Sequence, residues 1–100
     1  MTKTQVTAWA RSMVTLQDAN RTRVVVKGVK VCGMPAKVRF THNRAKHTYV
    51  ARCHGYPPIR VRFDEEHGNF IAEANNHQVV CHANTADRAF AHAVNKAWDA

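Results

Sequence analysis

Two short stretches constrain this chain more than any other. Ala36, Val38 and Phe40 alternate with Lys37, Arg39 and Thr41, and Ile59, Val61 and Phe63 alternate with Arg60 and Arg62. A repeat of two is that of a strand with one buried and one wet face. Both stretches must therefore turn their cations to solvent. Thr48 to Cys53 reads as a further strand, with Tyr49, Ala51 and Cys53 on one side and Arg52 on the other. If these strands are neighbours, Lys37, Arg39, Arg52, Arg60 and Arg62 share one sheet face. Strands pair about 4.8 Å apart, and same-face residues along a strand lie about 6.6–7 Å apart, so the five fit a small surface.

Around these strands the chain shows turns and β-branched runs. Val24–Val26 and Val29–Val31, divided by Lys27-Gly28, form either a tight hairpin or one long strand with a bulge at the glycine. Gly33-Met34-Pro35 is expected to end that section. Residues 42–47 read as a polar loop, and Gly55-Tyr56-Pro57-Pro58 as a turn. Asp64 to Gly68 reverses the chain, Phe70 to Ala74 returns, and Gln78 to Ala83 supplies a last short strand after Asn75-Asn76.

Both ends read as helices. Thr2-Lys3-Thr4-Gln5 has the form of a capping box. Val6, Trp9, Met13 and Leu16 then recur at spacings of three and four, with Ala10 beside them, over a helix at 3–18. Asn20 is the expected left-handed terminator. Asn84 or Thr85 caps a second helix at 85–98, whose apolar stripe is Ala89, Phe90, Ala93, Val94, Ala97 and Trp98. The expected fold is thus α+β: an antiparallel meander of four to six strands, joined by short turns, with an N-terminal and a C-terminal helix packed on one face. A chain of 100 residues makes one such domain, residues 1–100. Its 45% hydrophobic content is that of an ordinary globular protein.

The charge is unevenly spread. Residues 1–63 hold 13 basic residues and one acid, Asp18, a balance of +12. Residues 64–100 hold Arg88 and Lys96 against six acids, a balance of −4. A field of this sign attracts polyanions and speeds their encounter. Solubility alone would be served by mixed signs. The partner expected from this pattern is nucleic acid or an acidic protein surface, including one on a nucleoprotein complex. The contact residues would be Lys37, Arg39, Arg52, Arg60 and Arg62, helped by Lys27, Lys30, Arg44 and Lys46, with Tyr56 as the one exposed aromatic. Seven of the eight aromatics fall on core faces, so phosphate-led binding is expected over base stacking. No run of about 18 apolar residues is present, so no membrane partner is expected. The odd number of cysteines and the absence of a signal-like apolar start point to a cytoplasmic chain with reduced, mostly buried thiols.

Other chemistries have weaker support. Cys53-His54 and Cys81-His82 are adjacent pairs, whose side chains leave a strand on opposite faces, and neither Cys-x-x-Cys nor His-x-x-x-His spacing occurs. No metal and no cofactor is expected. A small ribonuclease could use His54 near Arg52, or His82 near Glu73, as general base, but no spacing ties either pair together. Asp64-Glu65-Glu66 is expected to balance Arg60 and Arg62. The helix–strands–helix order loosely resembles a double-stranded-RNA-binding domain, but Thr85-Ala86-Asp87-Arg88 lacks the lysine-rich start of that domain's last helix. The size and charge resemble small ribonuclease toxins, without their tyrosine- and arginine-bearing strand motif. Phage-encoded inhibitors of similar size share no motif. The leading expectation is a non-enzymatic nucleic-acid-binding protein. The alternatives are an inhibitor or adaptor using the same face against an acidic protein surface, and a small ribonuclease.

Overall fold

The computed structural model describes residues 2–43, 45, 48–75 and 77–99. The elements are α1 (Lys3–Asn20), β1 (Val24–Val31), β2 (Met34–Asn43), β3 (Thr48–Arg52), β4 (Ile59–Asp64), β5 (Asn69–Ala74), β6 (His77–Cys81) and α2 (Ala86–Asp99). The six strands pair antiparallel in chain order, with β1 and β6 at the edges. This is the expected α+β meander. α2 packs against β1 at one edge and against β5 and β6 at the other, while α1 lies on β2 and β1. One helix can touch both ends of a six-stranded sheet only if the sheet curls around it. Its concave face therefore holds both helices, and its convex face meets solvent. No helix among the described residues is long and apolar enough to cross a membrane.

The core follows from strand alternation. Val38, Phe40, Ala51, Ile59, Val61, Phe70 and Ala72 point inward and meet Phe90, Ala93 and Val94 of α2. Trp9 of α1 places its ring 5.1 Å from Phe90, 5.9 Å from Phe70 and 6.1 Å from Phe40. Its indole N–H donates to the Asp87 carboxylate, in the first turn of α2. An acid there also suits the positive end of the helix dipole. Trp98 is 9% exposed and donates from Nε1 to the Pro57 carbonyl at 3.1 Å. The Thr2–Gln5 capping box is formed. Thr85 begins α2, its hydroxyl accepting from the Arg88 amide at 3.2 Å.

Where pairing lapses, a side chain replaces the missing strand. β1 pairs through Val25↔Lys37 and resumes at Lys30↔Pro35, so Val26–Val29 bulge against Ala36 alone. Val24–Val31 is thus one bulged strand, the second of the two expected forms. Gly28 sits in the bulge at φ +90, and a Cβ there would come within 3.2 Å of the Ala91 Cβ. The glycine lets α2 approach. Asn95 of α2 then serves the bulged backbone, donating to Gly28 O at 2.8 Å and accepting from Lys30 N at 3.1 Å. At the other end of β1, Gln17 of α1 does the same for β2. Its amide donates to Phe40 O at 2.9 Å and accepts from Phe40 N.

Several local expectations are corrected. Leu16 is 48% exposed, and the half-buried residues of that turn are Met13, Val14 and Gln17. The Gln17–Phe40 bonds set the roll of α1 and turn Leu16 outward. Arg21, not Asn20, takes the left-handed cap at φ 57, its N–H reaching Asp18 O. Asn20 stays helical and donates from Nδ2 to Leu16 O at 2.9 Å. Met34 and Pro35 open β2 rather than end the section, because Cys32 and Gly33 alone make the hairpin loop, at φ 52 and 79. Positive φ at both positions is what a two-residue primed turn requires. Cys32 is consequently exposed, against the expectation of burial. Cys53 is half-buried and Cys81 buried, and all three thiols are free.

Candidate nucleic-acid interface

The convex face is built by the register of β1 to β4. Arg39 lies directly opposite Arg52. The next row across the sheet is Thr41, Val50, Arg60, Glu73 and Gln78. The row after that is Asn43, Thr48, Arg62, Ile71 and Val80. Lys37 is two residues from Arg39 on the same face. Lys37, Arg39, Arg52, Arg60 and Arg62 are all exposed, so the alternation places all five on one surface. Lys27 and Lys30 are exposed on β1, at and beyond the bulge. Arg44 and Lys46 lie outside the described residues.

Continuing the Val24↔Val38 register by one residue sets Arg23 opposite Arg39. Arg23, Arg39 and Arg52 line one concavity of about 250 Å³ together with His54, Tyr56 and Pro58. Arg39 and Arg52 on adjacent strands, with Arg23 one residue before β1, thus form a single row. Arg23 escaped the sequence reading, although a signal was present. It precedes the inward Val24 by one residue, so period two points it outward with Val25.

Two cations of this face are partly countered. Glu73 is directly opposite Arg60, and its carboxylate lies 3.7 Å from Arg62 Nε and accepts from Gln78 Nε2 at 2.9 Å. The acid that balances β4 is therefore Glu73. Of the expected trio, Asp64 contacts His67 at 2.7 Å and Glu65 pairs with Lys3 at 3.8 Å. Among the described residues, the ion pairs are these three, and none includes Arg23, Lys37, Arg39 or Arg52. Like charges directly opposite on an antiparallel pair are destabilising. The Arg39–Arg52 juxtaposition is a local cost that no ion pair offsets among the described residues, although Asp18 lines a neighbouring concavity with Arg23 and Arg39.

Tyr56 is half-buried, its ring centroid 5.6 Å from Trp98 and its hydroxyl 3.8 Å from Cys32 Sγ. That contact with Cys32, with burial behind it, pushes the phenol above its usual range. The expected exposed aromatic is thus committed to the protein by one face. Tyr49 is buried on the concave side with His42 stacked on it at 4.7 Å, and burial raises its phenol too. They border a concavity of about 890 Å³ between α1 and the sheet, which Lys3 and Arg11 also line.

For other chemistries, His54 and Arg52 do share the small concavity. Asp64, Glu66 and His67 bring one ligand atom each within 4.8 Å in the β4–β5 turn. The Asp64 carboxyl already accepts from the Glu66 amide and contacts His67, and the His67 bond holds it below the usual carboxylate range. This cluster braces the turn. No protein-family model, curated protein or solved structure matches the chain, so the convex face is interpreted from its own chemistry.

Proposed function

We propose that this protein binds nucleic acid through its convex sheet face, without cleaving it. Arg23, Arg39 and Arg52 form the centre of the contact, with Lys37, Arg60 and Arg62 around them and Lys27 and Lys30 at the rim. The observation that supports this reading is the cross-strand Arg39–Arg52 pair, extended by Arg23 and in no ion pair among the described residues. A phosphate placed between two guanidinium groups turns their repulsion into two charge-assisted contacts. Arginine also meets phosphate oxygens in a bidentate fork. A lysine- and arginine-bearing surface that served only solubility would have no need to set two like charges side by side.

Fluorescence anisotropy with labelled DNA and RNA of mixed sequence tests the proposal. If five phosphates are neutralised, affinity should fall about 500-fold between 50 and 200 mM salt, from a log–log slope near −0.9 per phosphate on a duplex. The oligonucleotides should run intact on a denaturing gel afterwards. The double change Arg39→Glu and Arg52→Glu should abolish the signal while the circular dichroism spectrum is unchanged. Absence of binding to any nucleic acid at 50 mM salt would refute the reading and redirect the search to an acidic protein partner.

A further inference from the structure

We propose that the nucleic acid is double-helical DNA, with the convex face seated in the major groove. This rests on the reading of that face as a nucleic-acid surface. Three independent features of the fold carry it.

The first is the placement of the aromatics. Trp9, Phe40, Phe70 and Phe90 pack on one another in the core, and Phe63 packs on Phe70. Tyr49 is buried, and Tyr56 and Trp98 pack together. Of the eight, only Tyr56 reaches the cationic centre, half-buried at the margin of the Arg23, Arg39 and Arg52 concavity with its ring packed on Trp98. The uncharged residues of the convex face include Val25, Thr41, Val50 and Val80, which offer methyl groups and no ring. Proteins that hold single strands stack bases on aromatic side chains. One half-buried ring is not the series of stacking platforms that a single strand needs, which favours bases already stacked on one another.

The second feature is shape. Because the sheet wraps α2, the cationic face bulges outward. A convex wall cannot enclose a flexible strand. It can enter a groove. The major groove of B-form DNA is about 12 Å wide and 8.5 Å deep and admits a two-stranded ribbon, while its minor groove is about half as wide. The major groove of A-form RNA is too deep and narrow for side chains to read, and its minor groove is shallow and wide.

The third feature is the distribution of charge. Arg23, Arg39 and Arg52 form one group, and Arg62 stands four residues along β4 from Pro58, the residue beside Arg52 when the β3–β4 register is continued. At about 3.3 Å per residue along the strand and about 4.8 Å across, the two groups lie about 14 Å apart. Thr41, Val50 and Arg60 occupy the ground between them, with Glu73 opposite Arg60. The Arg23, Arg39 and Arg52 group and Arg62 at this distance reach the phosphates on either side of a groove about 12 Å wide, and the strip between them faces its floor, where the Arg60 guanidinium can meet guanine O6 and N7.

The test compares a labelled 20-base-pair DNA duplex, an RNA duplex of the same sequence and each separate strand, by anisotropy at 100 mM salt. Dimethyl sulfate footprinting on the DNA duplex supplies a second readout, since it marks guanine N7 in the major groove and adenine N3 in the minor groove. We expect the DNA duplex to bind at least tenfold tighter than the RNA duplex or either strand, with guanine N7 protected. Equal or tighter binding of single strands or duplex RNA, or protection confined to adenine N3, would overturn this inference while leaving nucleic-acid binding in place. Failure to bind any of the four would overturn both.

Discussion

Arg52→Glu should make the protein more stable and a poorer binder at once. Arg52 is the last residue of β3, exposed, and paired in register with Arg39. Its side chain contributes nothing to the core, so the substitution acts through charge alone. A like-charge cross-strand pair costs roughly 0.2–1 kcal/mol and an opposite-charge pair contributes roughly the same amount in the other direction. Exchanging one for the other should therefore stabilise the free protein by about 1 kcal/mol. For a domain of this size that raises Tm by roughly 4–8 °C. Arg52→Gln only relieves the repulsion and should give about half the gain. Both gains should shrink at 1 M salt, where charges are screened beyond roughly 3 Å. Urea unfolding and thermal melts at 50 mM and 1 M salt measure the stability arm. Anisotropy measures the other, where the slope of log affinity against log salt should fall by about one to two phosphates. A residue that lowers stability while it strengthens binding is the signature of a site whose function opposes stability. If Arg52→Glu lowers Tm at low salt, or leaves both Tm and the salt slope unchanged, the two guanidinium groups are not coupled and the reasoning behind the interface fails.

Asn95→Ala removes both bonds to the bulged backbone of β1, at Gly28 O and Lys30 N; at about 1 kcal/mol each it should cost about 2 kcal/mol in urea unfolding, and a loss under 0.5 kcal/mol would mean that water serves the bulge equally well. The Asp64–His67 contact makes an acid-limb prediction: a carboxyl held below its ordinary 3.8 in the folded protein contributes stability present above that pH and lost as pH falls through the lower folded value. Melts between pH 2 and 5 should show Asp64→Asn flattening part of the fall below pH 3.8, and parallel curves would show that the contact is not made in solution.

Much of the fold could be read from the chain because its cause is local. Period two at Ile59–Phe63 and Ala36–Thr41 decides which side chains go inward, whatever the strands pair with. The same alternation exposes Lys37, Arg39, Arg52, Arg60 and Arg62. The Thr2–Gln5 box and the Thr85 cap act within one helical turn. Leu16 misled because helical spacing defines a stripe but not which edge of it faces the sheet. Cys32 misled because a small apolar residue beside a valine run reads as core until the two-residue loop is known.

The interface shows the same division. That this protein carries a one-sided cationic surface was determined by sequence, through alternation and the imbalance of charge before residue 64. Which cations stand together was decided only by the tertiary structure, because register depends on how each connection lets neighbouring strands pair and alternation within one strand does not fix it. Register sets Arg39 against Arg52 with no ion pair among the described residues, brings Glu73 to Arg60 and Arg62, and adds Arg23 to the row. Curvature likewise had no local signal. It arises because α2 meets β1 and β5–β6 together, and that meeting depends on Gly28 lacking a Cβ where Ala91 approaches and on Asn95 and Gln17 serving backbone that no strand reaches. The Gln17–Phe40, Gly28–Ala91 and Asn95–Gly28 contacts each join residues more than twenty positions apart, so no pattern in the chain announces them, and only packing brings the partners together.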